Sequence, residues 1–334
     1  MPAPADIAPT AGAGRSTAAA PPFPRGRAGG HLGDRAFALT LGALGGTVLL
    51  VVGVVVLELY RVAQPALAKS GLRFLVDRDW DPVAGSYGAL PFVYGTIVTS
   101  AVAILIAIPV AVGLALFLSE MGTPRLRPVV TFLIETLAAI PSVVYGLWGL
   151  FVVVPLLRDH VEPWLGKALG FLPLFQGPHI GLGYLAAGVL LAVMILPTIA
   201  SVTTEVLKTV PSSLREGALA LGATRWEAIR MAVLPYARPG IFGASLLGLG
   251  RALGETMAVT MVIGNAPEIS ASLFAPGYSL PAVIANEFAE ASGALHVGAL
   301  AGLALVLFGL ALLLNSAARL LVRVVARGPG GAAA

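Results

Sequence analysis

A chain of 334 residues that is 57% hydrophobic and only 11% charged is too apolar for a soluble globular domain of this length, so most of it must face lipid. Its net charge of +4 would suit a nucleic-acid partner in a soluble protein, but the basic residues here sit at the ends of apolar runs, as membrane orientation requires, and nucleic acid is excluded. The absence of cysteine excludes disulfides, thiolate nucleophiles and cysteine metal sites, and the four histidines (His31, His160, His179, His296) have no metal-ligand spacing.

Residues 1–36 are rich in Ala, Pro and Gly and too poor in large apolar side chains to form a core, which predicts a disordered tail. The first apolar run is longer than a signal-peptide core, lacks a small-residue cleavage site after it and precedes five more runs, so it is expected to remain as a membrane helix. Crossing the hydrocarbon takes about 20 apolar residues in a helix. Six runs qualify, at 37–60, 94–118, 129–157, 180–203, 238–264 and 294–318, which predicts an all-α polytopic membrane protein with six transmembrane helices.

Between the first two runs, 61–93 carries Asp77, Asp79 and Asp81 beside Arg73 and Arg78, with Trp80, Tyr87 and Tyr94 as interfacial anchors. Pro109, Pro141 and Pro197 interrupt the second, third and fourth runs; each removes a helical hydrogen bond, and the three together predict kinks suited to gating. Membrane helices also tolerate proline without any gate. The connection 265–293 has no basic residue and carries Glu268, Glu287 and Glu290, and its Ser279-Leu280-Pro281 reads as the start of a short helix ending near Glu287.

Orientation follows from Lys and Arg, which accumulate on the cytoplasmic side. Fourteen lie in the N-terminal tail, the second and fourth connections and the C-terminus, whereas six (Arg61, Lys69, Arg73, Arg78, Arg158, Lys167) lie on the other side. Both termini, including a C-terminal tail at 319–334, are therefore expected in the cytoplasm.

The connection 203–240 is too polar for membrane and too regular for a linker. Ser213 with Glu216, after Pro211, predicts a capping box, and Gly222 predicts a left-handed helix end. Thr224 with Glu227 repeats the box, opening a helix from Trp226 to Leu234 that is expected to stop at Pro235. The result is a small-residue knob able to dock in a partner's groove. No P-loop is present, because neither Lys69-Ser70 nor Lys208-Thr209 follows a glycine, so ATP hydrolysis would belong to another polypeptide.

This stretch resembles the coupling loop of ABC-importer permeases, whose pattern is Glu-Ala-Ala, three residues, Gly, nine residues, Ile, one residue, Leu-Pro. Glu216, Ala218, Gly222, Leu234 and Pro235 match; Gly217 replaces the first Ala and Ala232 the Ile. The resemblance implies type I importer architecture, a helix seated in the cleft of a separate ATPase subunit, and ATP with magnesium used by that subunit, not by this chain.

Charges inside membrane spans are costly and usually face a bundle interior or a water-filled path. Arg251 lies mid-way along the fifth run, Glu255 four residues later on the same expected helical face, and Glu135 about two turns into the third. Arg251 offers a permanently charged planar fork suited to tetrahedral oxyanions, which Glu255 would offset between passages. The alternative is an Arg251–Glu255 or Arg251–Glu135 pair that serves helix packing alone.

Arg251-Ala252-Leu253-Gly254-Glu255-Thr256-Met257-Ala258-Val259, and Ile140-Pro141-Ser142-Val143-Val144-Tyr145-Gly146, resemble the signatures of phosphate-specific permeases of the PstC type over about 94–318. The first run and its outer loop, 37–93, agree only in kind. With the mid-span charges and the prolines, Arg251, Glu255, Glu135 and Thr256 are expected along a substrate pathway and Pro141, Ser142, Tyr145 and Pro197 at gating kinks. The resemblance implies a bacterial inner-membrane complex with a sister permease of the PstA type, two copies of an ABC ATPase and an extracytoplasmic phosphate-binding protein docking on 61–93 and 265–293. A secondary role toward phosphate-sensing regulatory proteins is compatible with it. Sulfate, molybdate or phosphonate as substrate, and an ATP-independent secondary transporter, are the competing readings.

Overall fold

The computed structural model describes residues 30–326, with side-chain environments for 33–320. The expectations for 1–29 and 327–334 lie outside the described residues. Helix α1 (Gly30–Ser70) begins inside the expected tail, and the last helix, α14 (Ala294–Ala326), runs past the expected boundary at 318.

Helices dominate because a backbone in hydrocarbon must satisfy its own hydrogen bonds. After α1 come α2 (Arg73–Val76) and a small antiparallel hairpin, β1 (Trp80–Asp81) with β2 (Ser86–Tyr87), in which Trp80 faces Tyr87 and Asp81 faces Ser86. Helix α3 (Leu90–Leu116) ends in a π turn at Phe117–Met121, and α4 (Leu126–Ala139) is followed by α5 (Ser142–Trp148). Helix α5 continues through π turns into α6 (Val154–Leu156) and α7 (Glu162–Leu169). Then come α8 (Tyr184–Lys208), α9 (Ser212–Ala220), α10 (Arg225–Ala228), α11 (Leu234–Gly254), α12 (Met257–Val262), α13 (Leu280–Glu287) and α14.

Five helical segments are unbroken and apolar over a membrane-spanning length, namely Gly33–Ser70, Leu90–Met121, Ser142–Leu169, Tyr184–Lys208 and Ala294–Leu320. The predicted fifth run, 238–264, is not among them, because its helix stops at Gly254 and resumes at Met257. The third run, 129–157, is likewise divided between α4 and α5 at Ile140–Pro141. The six predicted runs thus correspond to four continuous helices and two interrupted ones. Helices α3 and α8 run without interruption through Pro109 and Pro197, so of the three prolines expected to mark kinks only Pro141 ends a helix.

The chain divides into two units at residue 55. In the first, Leu39, Leu44, Leu49 and Leu50 of α1 are exposed, as expected of side chains meeting lipid. In the second, α8 is the central element and packs against both α3 and α11. Ala103, Ala107, Ala111 and Ala115 recur every four residues on α3 and are fully buried. Small residues let membrane helices approach closely. Gly188 of α8 permits the same on the other side: a Cβ there would lie 2.4 Å from Val102 Cγ1.

At the end of the bundle away from α9, loops are tied down by side chains. Trp80 Nε1 donates to Glu287 Oε2 at 2.9 Å, and His296 Nε2 lies 3.1 Å from the same oxygen. Tyr87 stacks on His296. The expected short helix after Ser279 forms as α13, ending at Glu287. Segment 264–278 is held across the ends of α3 and α8, with Tyr94 Oη donating to Ser270 O and Tyr184 Oη to Glu268 O.

Candidate substrate pathway and coupling helix

The two interruptions are built differently. At the first, proline forbids the helical conformation in the residue before it, so Ile140 is extended (ψ 129°) and Pro141 follows suit (ψ 143°). The carbonyl of Leu137 is recovered by Tyr145, whose hydroxyl donates to it at 2.8 Å across the break. Tyr145 is thus a staple between two half-helices, while Ser142 opens the second half.

At the second interruption there is no proline. Helix α11 ends at Gly254, Glu255 is extended (ψ 127°), and Thr256 precedes α12. This corrects the expectation that Glu255 continues the helical face of Arg251: the backbone turns before Glu255, and its carboxylate instead accepts a long 3.4 Å bond from the Ala258 amide. Two glycines bring the interruptions together. Cβ atoms at Gly146 and Gly149 of the third run would meet Met261 Sδ at 2.5 Å and Val262 Cγ1 at 3.1 Å, so α5 and α12 touch nearly backbone to backbone.

Arg251 lies on the last turn of α11, exposed in this chain. Among the described residues no carboxylate comes within ion-pairing distance of its guanidinium. The Arg251–Glu255 and Arg251–Glu135 pairs weighed as packing devices are therefore not formed within the chain; Glu135 is itself exposed on α4. A guanidinium with no ion-pair partner among the described residues needs water, an anion or a neighbouring subunit to satisfy five donors. Pro197 is buried within α8, away from the breaks in sequence, and ends no helix.

On the opposite end, α9 presents Glu216, Gly217 and Ala218 on a helix without a buried residue. Gly222 has φ +88°, and two bonds close the turn: Gly222 N–H to Leu219 O at 3.0 Å and Ala223 N–H to Ala218 O at 3.1 Å. This is the Schellman arrangement, which requires a left-handed residue at that position. The Thr224–Glu227 capping box forms in both directions. The Ser213–Glu216 box does not: α9 begins two residues earlier than a Ser213 cap requires, at Ser212, with Pro211 as its cap, so Ser213 is already inside the helix.

Nor does Pro235 stop a helix. A π turn at Ile229–Val233, with Leu234 N–H bonded to Ile229 O, widens the coil just ahead of the proline, and α11 continues through it. The wider turn relieves the clash that a pyrrolidine ring makes with the preceding turn. The polar connection 203–240 therefore reduces to a short helix between Lys208 and Arg225, with Leu234 and Pro235 already inside the next helix.

Sequence reasoning missed the residues that hold α9 in place. Arg215 forms a bidentate pair with Glu120, Nη2 to Oε1 at 2.8 Å, from 95 residues away. Its position beside Glu216 was the available signal, but nothing local connects it to the end of the second run.

Residues 107–327 match the family described as binding-protein-dependent transport system inner membrane component. The phosphate transport system permease protein PstC of Mesorhizobium japonicum is 47% identical over 301 residues, covering 89% of this chain and 92% of that one. PstC of Xylella fastidiosa is 46% identical (89% and 93% covered), and PstC of Pasteurella multocida 48% (78% and 82%). Among solved structures, a chain of the inward-facing MetNI methionine ABC transporter superposes with TM-score 0.52 at 20% identity, covering 75% of this chain and 100% of that one. A chain of a bacterial alginate ABC transporter, in complex with an alginate-bound periplasmic protein, does so with TM-score 0.58 at 16% identity (88% and 96%). These two likenesses show the fold, that of a type I ABC-importer permease. The chain belongs to the binding-protein-dependent transport inner-membrane family and, within it, to the PstC type of permease.

Proposed function

We propose that this chain is the permease subunit of an ATP-driven importer for inorganic phosphate in a bacterial inner membrane. The observation that carries the reading is identity of 46% to 48% with permeases named for phosphate transport, over 78% to 89% of the chain. The subunit is non-catalytic: a separate ABC ATPase, in two copies, uses ATP and magnesium. A sister permease of the PstA type completes the pathway, an extracytoplasmic phosphate-binding protein delivers substrate, and phosphate-sensing regulators are further partners. Both termini and α9 lie in the cytoplasm, in keeping with the excess of Arg and Lys on that side.

Mechanistically, ATP closes the ATPase dimer around α9, whose Glu216, Gly217 and Ala218 lie on a helix with no buried residue. Movement of α9 rocks the interrupted spans, with Pro141, Ser142 and Tyr145 at one break, Glu255 and Thr256 at the other, and Pro197 in the helix between. Arg251 then meets phosphate on a face where it has no carboxylate partner among the described residues, while Glu255 and Glu135 adjust the charge along the path. Hydrolysis resets the cycle.

The test is uptake of radiolabelled phosphate at micromolar supply by cells lacking this gene. The complementing genes are wild type, Arg251→Ala and Gly222→Asp, each challenged with excess sulfate or molybdate. Wild type alone should restore ATP-dependent uptake that sulfate and molybdate do not compete away. Uptake equal with and without the gene would remove phosphate as the substrate.

A further inference from the structure

Helix α9 buries none of its side chains: Leu214 and Leu219 are 39% and 47% exposed, and Leu221, just past its end, is 91% exposed. It therefore lacks the apolar packing by which the other helices of the bundle hold one another. Besides lying against α10 and the π turn at Ile229–Val233, such a helix passes force to the membrane part through the side chains that fasten it.

Arg215 is the chief polar fastening. Its Nε lies 3.2 Å from both carboxylate oxygens of Glu120, and its Nη2 donates to Oε1 at 2.8 Å. The other donors of the fork reach two main-chain oxygens: Nη1 to Val210 O at 2.6 Å and Nη2 to Leu207 O at 2.9 Å. Glu120 belongs to the π turn that ends the second span, and Leu207 lies in the last turn of α8, where helical carbonyls lack intrahelical partners. One guanidinium thus ties α9 to the ends of two spans at once. The side chains are only 26% and 12% exposed, so water and salt screen the pair far less than a surface pair. Immediately beside it, Leu116, Leu207, Val210, Ile229, Val233 and Ala237 form a separate apolar cluster that locks the same ends of α3, α8 and α11 together.

The contrast with neighbouring pairs is sharp. Lys208–Glu205, on the same end of α8, is 60% and 69% exposed and joins residues of a single helix. It can transmit nothing between elements. The Arg215–Glu120 pair is the one ion pair among the described residues that links α9 to a membrane span.

We propose that Arg215 and Glu120 form the joint through which displacement of α9 is passed to the second and fourth spans, as positioning residues for transport; the proposal rests on the ATP-driven importer reading above. Breaking the joint leaves ATP hydrolysis running while the spans no longer follow. The planar fork is essential to this role, because it holds three partners in one plane, which a lysine cannot do.

The test uses the complete complex, with sister permease, ATPase and binding protein, in proteoliposomes, measuring phosphate uptake and ATP hydrolysis in the same vesicles. Glu120→Gln is expected to lower phosphate moved per ATP by about tenfold while hydrolysis stays within about twofold of wild type; Glu205→Gln should change neither. Because the chain has no cysteine, the pair Glu120→Cys with Arg215→Cys can be bridged within it by a short bis-methanethiosulfonate linker. Unbridged, this variant should be uncoupled; bridged, it should recover most of the wild-type ratio, and reductant should abolish the recovery. A fastening that served stability alone would not respond reversibly in folded, assembled vesicles. An unchanged ratio in both variants, failure of the linker to form, or a bridge without recovery overturns the proposal. If wild type moves a different oxyanion, the ratio is taken on that ion and only the phosphate reading falls. If wild type moves solute without ATP, the importer reading fails and takes the joint with it.

Discussion

Helices α8 and α9 are separated by three residues yet are held by opposite means. In α8 most side chains are buried, among them Leu190, Leu191, Ile195 and Ile199, and glycines at its contacts admit neighbours to van der Waals distance. In α9 nothing is buried; it rests against α10 and the π turn at Ile229–Val233, and one guanidinium ties it to the ends of two spans. The difference separates a strut from a handle. Close-packed interiors transmit strain because they cannot deform locally, whereas an exposed helix can be gripped by another subunit without disturbing the core. Placing the two next to each other, with one polar joint between, lets a push at the surface become a shift of whole spans.

The largest effect should come from making the strut and the handle trade tolerances. Gly188→Leu places a side chain into Val102, where even a Cβ sits at 2.4 Å, and should cost about 3 kcal/mol or more, read as loss of folded protein on size-exclusion chromatography. Gly217→Leu on α9 meets nothing within 4 Å and should leave thermal stability within about 0.5 kcal/mol, while weakening copurification of the ATPase. Equal destabilisation by the two would erase the comparison.

Arg251→Ala comes next. Since its guanidinium is exposed and has no ion-pair partner among the described residues, stability should hold; loss of charge-assisted bonds to an anion, worth about 1.5–3 kcal/mol, should lower uptake by roughly 10- to 100-fold. A melting temperature that falls with uptake would return Arg251 to a structural role.

Smaller effects sharpen the description of the handle. Gly222→Val forces a β-branched residue into φ +88° and should cost about 1–2 kcal/mol at the α9 turn, detectable as faster amide exchange over 212–224. Thr224→Ala removes the capping box and should cost about 1 kcal/mol in the same measurement. If Thr224→Ala were the more damaging, the turn at Gly222 would not be what shapes the knob.

Much of the handle was legible before any coordinates. Gly222 and the Thr224–Glu227 box are local devices, each contained within a few residues, and both form as read. Ser213 and Pro235 misled for the same local reason: a capping pattern and a proline each have two outcomes, and the neighbouring turn decides between them. Pro211 took the cap from Ser213, and the π turn at 229–233 absorbed Pro235. At the candidate pathway, Pro141 announced its break, whereas the break at Glu255 carries no proline and looks helical in a window of hydrophobicity.

By itself the sequence determined the membrane class, the six apolar runs, the asymmetry of basic residues and the glycine turn of α9. Each of these depends on composition, length or conformation within a few neighbouring residues, which the covalent chain specifies directly. Only the tertiary structure decided that Arg251 has no acidic partner among the described residues, that Gly146 and Gly149 bring two broken spans into contact, and that Arg215 finds Glu120 across 95 residues. Those relations depend on which helix faces meet. That is settled by the packing of small residues and the pairing of buried charge, quantities that no local pattern carries.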